Sequence, residues 1–125
     1  NWNDAPQGPK HRLDSAPARQ KEMAWMKTLG VKGIKVDFFG GDKQATMKLY
    51  EDILTDANQY GIAVVFHGCT LPRGWERMYP NHMSSEAALV SENLVFGQYH
   101  ADKEAQRSTL YTSQVSSTSA SLPIT

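Results

Sequence analysis

The sequence has little cysteine, no excess charge of either sign and no long apolar run. Its one cysteine, Cys69, cannot form a disulfide within the chain and excludes a cysteine-rich zinc site. Thirteen basic and thirteen acidic side chains cancel, so nothing indicates a nucleic-acid or membrane-surface binder. No apolar run is long enough to span a bilayer. These absences exclude several classes of protein and indicate no function by themselves.

The spacing of apolar residues predicts two helices with a strand between them. The first helix begins near Ser15 and ends at Gly30, and a short apolar strand follows over residues 33–38. The second helix is capped by Asp42 and ends at Gly61. Its apolar stripe, which we expect in the core, is formed by Met47, Tyr50, Ile53, Leu54 and Ala57.

Two further strands are predicted, over residues 62–66 and 81–86, with a loop over residues 69–81 between them. The first two strands are continuous apolar runs, which is typical of parallel strands covered on both faces. Helices that alternate with parallel strands indicate an α/β fold, either a barrel or an open doubly wound sheet. Residues 108–125 carry no charge and are rich in Ser and Thr, so we predict a disordered tail there.

Side chains on the first strand should alternate between its two faces. Lys35 and Asp37 share one face, at the carboxyl end of the strand. The other face is formed by Ile34, Val36 and Phe38.

Ionisable side chains stand at the end of each predicted strand. Asp37 ends the first strand, His67 follows the second, Glu86 ends the third, and Glu92 lies six residues further on. Chemistry in α/β folds gathers at the carboxyl ends of parallel strands, so these side chains could form one wall of an active site.

Simpler interpretations exist for each of these side chains. Lys35 and Asp37 could be an ion pair that only solvates the strand end. His67 could be a hydrogen-bonded structural histidine, and Glu86 and Glu92 could be surface carboxylates. The residue pattern alone leaves these alternatives open.

The loop after the second strand raises the same question. Cys69 could be a nucleophile, but no oxyanion site or orienting group accompanies it, which favours a packed thiol. Arg73, Trp75 and Tyr79 could line a sugar site, since aromatic faces stack on pyranose rings, or they could simply pack.

The stretches "GVKGIKVDFFGGDKQ", "YGIAVVFHGCTLPRGWERMYPN", "SSEAALVSENLVFGQ" and "ADKEAQR" resemble glycoside hydrolase family 97, whose members are α-glucosidases and α-galactosidases with a (β/α)8 catalytic barrel. The resemblance extends over residues 16–107. It implies that residues 1–107 are part of such a barrel, about three of its eight strands, with residues 108–125 as a separate tail. The remaining barrel and the flanking β-domains of the family have no counterpart in this chain.

The resemblance also implies roles for individual residues. Asp37 matches the nucleophile of the retaining members, and Glu92 matches the general acid/base. Inverting members instead carry a glutamate base directly after the histidine that corresponds to His67, where this chain has Gly68. The retaining branch is therefore expected, with α-galactosides as the favoured substrates and α-glucosides as the alternative.

Further expectations concern ligands and surroundings. Lys35 and His67 match positions that contact substrate hydroxyls, and we assign Arg73 and Trp75 to substrate binding as well. Glu86 matches a carboxylate of a calcium site, which Glu92 is expected to share. The resemblance further implies an oligosaccharide substrate, a periplasmic or other extracytoplasmic location, and little activity for the isolated 125-residue chain.

Two rival functions come from other classes. A metal-dependent barrel hydrolase would hold a transition metal with His67, Glu86 and either His82 or His100, although no H-x-H or H-E-x-x-H spacing is present. A carbohydrate-binding module would keep the fold without catalysis, and the presence of both Asp37 and Glu92 argues against it.

Overall fold

The computed structural model describes residues 13–87, 91–104, 106 and 109, with the side chains of residues 91–93 outside that description. The chain divides into two units, residues 1–87 and 88–125. The described part of the second unit contains a 3₁₀ helix, Ser91–Phe96, and helical residues 98–104. Apart from Thr109, the predicted disordered tail lies outside the described residues.

Helices and strands alternate in the first unit, in the order predicted from the sequence. The elements are α1 (Ala16–Thr28), β1 (Gly33–Val36), α2 (Gln44–Gln59), β2 (Ala63–Phe66), α3 (Trp75–Met78) and β3 (His82–Ser85). Only α3, a single turn, was expected to be loop. No helix within the described residues is both long and apolar enough to cross a membrane.

The helices end at the predicted glycines, but the residue that caps the start of α2 differs from the prediction. Leu29 closes α1 and Gly30 follows at a φ of +76°, a conformation that glycine adopts without a Cβ clash. Gly61 plays the same role after α2. The residue that precedes α2 is Lys43, in an extended conformation, so Asp42 lies one position too early to be the cap.

The three strands form one parallel sheet in the order β1–β2–β3. β1 pairs with β2 in an uninterrupted register from Gly33 opposite Ala63 to Val36 opposite Phe66. β2 pairs with β3 through a register shift, because His82 lies opposite Val64 and Ser84 lies opposite Val65. Strand order that follows chain order, with a helix between β1 and β2, is typical of a succession of βα units.

The core lies where α2 packs on the sheet, and it contains a cluster of aromatic rings. Tyr50 stacks on Phe39 and Trp75, at centroid distances of 4.0 and 4.6 Å, and meets the edge of Phe66 at 4.8 Å. Such stacked and edge-on contacts let the rings bury a large apolar area in the core. The predicted stripe of α2 is confirmed, with Met47 partly buried and the rest buried.

The burial of β1 differs from the prediction. Its residues alternate between exposed and half-buried, so the strand is not covered on both faces within the described residues. Phe38 does not join Ile34 and Val36 on the inner face, because its φ of +64° breaks the alternation and leaves the side chain 56% exposed. Phe39 points into the aromatic cluster instead.

A buried ion pair fastens α1 to α2. The Arg19 guanidinium donates to the Asp56 carboxylate through Nε and to the Leu13 carbonyl through Nη1, at 2.9 Å for the latter. Asp52 Oδ2 lies 3.7 Å from Nη2. Both Arg19 and Asp56 are buried, so each depends on the other to balance its desolvation.

Replacing Arg19 by Met should destabilise the protein strongly, because it leaves the Asp56 carboxylate buried without its cation. Loss of one partner of a buried pair typically costs about 3–5 kcal/mol. The melting temperature of the first unit, measured by calorimetry, should fall by roughly 5 °C or more. Lys48→Met is the matched control, because it removes the exposed Lys48–Asp52 pair, and it should change the melting temperature little. Equal effects of the two variants would contradict the role of the buried pair.

Candidate active site

The residue directly after each strand has an ionisable side chain, at the position that the sequence predicts. Asp37 follows β1, His67 follows β2 and Glu86 follows β3. The parallel pairing continues past the strand ends, because His67 N–H donates to the Val36 carbonyl and Glu86 N–H donates to the Phe66 carbonyl, both at 2.8 Å. These hydrogen bonds bring the three side chains to the same edge of the sheet.

The imidazole of His67 lies between the two carboxylates. Its Nδ1 is 2.7 Å from Asp37 Oδ2, and its Nε2 is 2.7 Å from Glu86 Oε2. All three side chains are largely covered, with exposed fractions of 16% for Asp37, 18% for His67 and 27% for Glu86. A neutral imidazole has one N–H to donate, whereas the imidazolium form can donate to both carboxylates.

Each carboxylate oxygen of Asp37 has its own neighbour. Oδ1 accepts a hydrogen bond from Phe38 N–H at 2.7 Å, and Oδ2 faces His67. Lys35 Nζ lies 3.9 Å from Oδ2, on a side chain that is mostly exposed, so solvent screens its charge. Asp37 is therefore an ordered carboxylate at the rim of the sheet, with positive or hydrogen-donating groups around it.

Gly68 lies immediately beside this carboxylate. Its N–H donates to Glu86 Oε2 at 3.4 Å, and its carbonyl accepts from Phe39 N–H at 3.1 Å. Its φ is +50°. In the sequence, Gly68 was notable only because it lacks the glutamate side chain that inverting members carry at this position. Nothing in the sequence indicated the positive φ of Phe38, the residue after Asp37.

Trp75 does not lie where the prediction of substrate binding requires. Its ring is 2% exposed and packs against Tyr50 and Phe66 in the core. A ring that is covered to this extent has no face to offer to a sugar, which fits the alternative that the loop aromatics pack. Arg73 is exposed, and Tyr79 is partly buried against the core.

Cys69 has the contacts of a packed thiol. Its Sγ–H donates to the Glu86 carbonyl at 2.9 Å. Burial raises the pKa of the thiol above its ordinary value, with a smaller opposing effect from a hydrogen bond with Ser85. A raised pKa disfavours the thiolate that a nucleophile needs.

The structure does not bring His82 close to Glu86, as the rival metal site requires. His82 begins β3 opposite Val64, at the other end of the strand from Glu86, and its Nε2 lies 2.9 Å from Ser85 Oγ. Burial lowers the pKa of His82, so its neutral form is favoured. His100 belongs to the second unit. Across the described ranges no three His, Cys, Asp or Glu side chains are grouped to hold a metal ion.

The predicted calcium site is not complete in the described part of the chain. Calcium prefers six to eight oxygen ligands. Glu86 supplies one carboxylate, and its Oε2 already contacts a ring nitrogen and a backbone N–H. Glu92 lies in the 3₁₀ helix of the second unit, and its side chain is outside the described residues. The described residues alone therefore do not fit a calcium ion.

A carboxylate, an imidazole and a second carboxylate thus lie at the carboxyl ends of successive parallel strands, the edge at which α/β enzymes carry their active sites. The sequence pattern of the family Glycoside hydrolase 97 matches residues 9–88. The chain therefore belongs to glycoside hydrolase family 97, and the predicted family is confirmed.

Two relatives agree with this membership. Over 91 residues the chain is 35% identical to the "Probable retaining alpha-galactosidase" of Streptomyces bingchenggensis (strain BCW-1), which covers 72% of this chain and 14% of the relative. The crystal structure of a beta-arabinopyranosidase matches 82% of this chain at 67% identity with a TM-score of 0.69, and the match covers 16% of that structure's chain. The chain thus spans 14% and 16% of the lengths of these two proteins.

Replacing Cys69 by Ser should leave the activity of the complete protein within about threefold, because the serine hydroxyl can still donate to the Glu86 carbonyl. Alkylation of the Cys69 thiol by iodoacetamide, followed by peptide mass spectrometry, should be slow at neutral pH. It should accelerate only as the pH approaches the raised pKa of the thiol. Loss of activity in Cys69→Ser would restore the thiol as a candidate nucleophile.

Proposed function

We propose that this chain is part of the (β/α)8 barrel of a retaining glycoside hydrolase, and that Asp37 is the nucleophile. The observation that supports this most directly is the placement of the Asp37 carboxylate, which stands at the end of β1 between His67, Phe38 N–H and Lys35. The parallel β1–β2–β3 order and the functional residue after each strand are compatible with the barrel.

The reaction follows from the requirements of a retaining mechanism. Asp37 attacks the anomeric carbon of the sugar as the bond from that carbon to the leaving oxygen breaks, and an acid protonates that oxygen. The product of this step is a glycosyl ester of Asp37. The conjugate base of the acid then removes a proton from water, the water oxygen attacks the anomeric carbon, and the ester bond to Asp37 breaks. Two displacements at one carbon restore the original configuration.

Glu92 remains our proposed acid/base. Glu86 is a poor candidate for the second carboxyl group, because it lies on the opposite side of the His67 ring from Asp37. Retaining enzymes need their two carboxyl groups about 5–5.5 Å apart, both facing the same anomeric carbon. An imidazole between two carboxylates does not produce that arrangement.

The geometry suggests that His67 orients Asp37. Both of its ring nitrogens already face carboxylate oxygens at 2.7 Å, which leaves no N–H for a sugar hydroxyl. Lys35 is mostly exposed and has three N–H donors, so it is the better candidate for the predicted contact with substrate. Calcium binding by Glu86 and Glu92, and an extracytoplasmic location, stay predictions, and no step of the proposed mechanism depends on them.

The two relatives suggest one substrate class. A β-L-arabinopyranoside has the same ring and hydroxyl configuration as an α-D-galactoside and differs by the absence of the hydroxymethyl group. We propose that the complete protein hydrolyses terminal glycosides of this shared configuration. An α-glucoside differs at the hydroxyl on C4, and a polar site built for one orientation of a hydroxyl discriminates strongly against its loss or inversion.

Replacing Asp37 by Ala in the complete protein should abolish turnover, because no carboxylate remains to form the glycosyl ester. Azide should enter the vacated space and restore part of the activity with an activated aryl glycoside. Because azide replaces the missing nucleophile, proton NMR should show a glycosyl azide of inverted anomeric configuration. Wild-type turnover by the Asp37→Ala protein would refute both the role of Asp37 and the catalytic function proposed for this site.

The substrate class can be tested with three 4-nitrophenyl glycosides, the α-D-galactoside, the β-L-arabinopyranoside and the α-D-glucoside. The first two should be hydrolysed with kcat/KM values at least about a hundredfold above that of the glucoside. The ratio of the kcat/KM values for the galactoside and the arabinopyranoside measures how much the hydroxymethyl group contributes to kcat/KM. Fastest hydrolysis of the glucoside would contradict the proposed class and favour the α-glucosidase alternative.

A further inference from the structure

We propose that Gly68 is a positioning residue for Asp37, because the missing side chain leaves the space in which the carboxylate stands. This inference rests on the proposed role of Asp37 as nucleophile. It assigns to Gly68 a steric contribution to the reaction, although the residue has no functional group of its own.

The distances at Gly68 are the first part of the argument. A Cβ at residue 68 would lie 2.8 Å from Asp37 Oδ1 and 3.4 Å from the backbone nitrogen of Phe38. The first distance is shorter than real Cβ contacts, so any side chain at residue 68 would force a movement. The carboxylate and a side chain at residue 68 therefore compete for one volume.

Asp37 cannot move away without losing its contacts. Its Oδ1 accepts the hydrogen bond from Phe38 N–H, and its Oδ2 lies 2.7 Å from His67 Nδ1. A rotation that carried Oδ1 away from residue 68 would also turn Oδ2 away from the imidazole. Because the aspartate side chain is short, the two oxygens move together.

The backbone of Gly68 is also restrained by hydrogen bonds. Its carbonyl accepts from Phe39 N–H, and its N–H donates to Glu86 Oε2. The preceding residue, His67, is fixed to β1 by the hydrogen bond from its N–H to the Val36 carbonyl. Displacement of the backbone at residue 68 would therefore disturb the pairing that brings the strand ends together.

A displaced nucleophile would slow the chemical step more than it would weaken substrate binding. A misplacement of about 1 Å in an active site can reduce the rate about a hundredfold. Sugar binding depends on hydroxyl contacts spread over the whole pocket, so a shift of one carboxylate should affect KM less than kcat.

Gly61 provides a matched control. It also has a positive φ, +68°, so an alanine there meets a similar backbone strain. A Cβ at Gly61 would have no atom within 4 Å. Comparison of the two alanine variants therefore separates the contact with Asp37 from the strain of the backbone.

The experiment compares Gly68→Ala and Gly61→Ala in the complete protein, with the best of the three aryl glycosides as substrate. We expect kcat to fall about 10- to 100-fold in Gly68→Ala with KM within about threefold, and kcat to stay near wild type in Gly61→Ala. Equal kcat values for the two variants would overturn the proposal.

Azide rescue tests whether Gly68 acts through Asp37. With Asp37 replaced by Ala, a Cβ at residue 68 no longer meets a carboxylate that is tethered to β1. Azide has no such tether and can shift away from the Cβ, so the azide-rescued rates of Asp37→Ala and Asp37→Ala/Gly68→Ala should agree within about threefold. If Gly68→Ala lowered the azide-rescued rate as much as it lowers kcat with Asp37 present, the proposal would be wrong. The assignment of Asp37 as nucleophile would then still stand. Failure of the proposed function shows separately, as wild-type turnover by Asp37→Ala.

A stability readout covers the case in which Gly68→Ala folds poorly. The drop in melting temperature caused by Gly68→Ala should be smaller in the Asp37→Ala background, because the clash with Oδ1 is then absent. An equal drop in both backgrounds would mean that the alanine acts on the backbone alone, and the proposal would be wrong.

Discussion

Parallel pairing of three strands is the constraint on which the candidate site depends. Asp37, His67 and Glu86 are separated by 19 to 49 positions in the sequence, and no local interaction could bring them together. The sheet does so because each residue directly follows its strand and the strands end level with one another. The ion pair of Arg19 with Asp56 and the aromatic cluster around Tyr50 support this indirectly, since they hold the helices that connect and cover the strands.

The His67 imidazole has a particular electrostatic role in this arrangement. Two carboxylates that are mostly removed from water repel each other and lose hydration, and a ring that separates them and donates a hydrogen bond offsets part of this cost. The carboxylates in turn fix the orientation of the ring. The site is therefore a mutually supported unit, and its members should not be expected to contribute independently to activity.

Much of this arrangement was predictable from the sequence, because strand periodicity and the rule of carboxyl-end chemistry depend only on residue order. The convergence of Asp37, His67 and Glu86 was expected from those two rules, and the strand order β1–β2–β3 supplies the adjacency that it also requires. The family resemblance added the proposed roles. It could not add the contacts, such as the placement of His67 between two carboxylates, which depend on the actual register of the strands.

The structure differs from the sequence predictions at residues where the backbone departs from regular strand or loop geometry. Phe38 was expected inside because strands alternate, but its positive φ exchanges it with Phe39. Trp75 was expected near a sugar because it lies in a loop, yet the single turn of α3 places its ring in the core. The residue types do not predict either position, because an aromatic residue suits a binding surface and a core equally well.

The register shift between β2 and β3 has a consequence for how the site could change in evolution. The pairing passes over Met83, so Phe66 lies opposite Ser85 and the next residues, His67 and Glu86, become neighbours. In an unbroken register Ser85 would lie beside His67, and Glu86 would fall one position further along and on the opposite face of the sheet. The bulge that absorbs the surplus residue Met83 thus places a carboxylate, rather than a hydroxyl, beside the imidazole. Loss of the Met83 codon would let β3 pair with β2 in an unbroken register and keep Glu86 beside His67. Insertion of one further residue without a second bulge would instead bring Ser85 beside the imidazole.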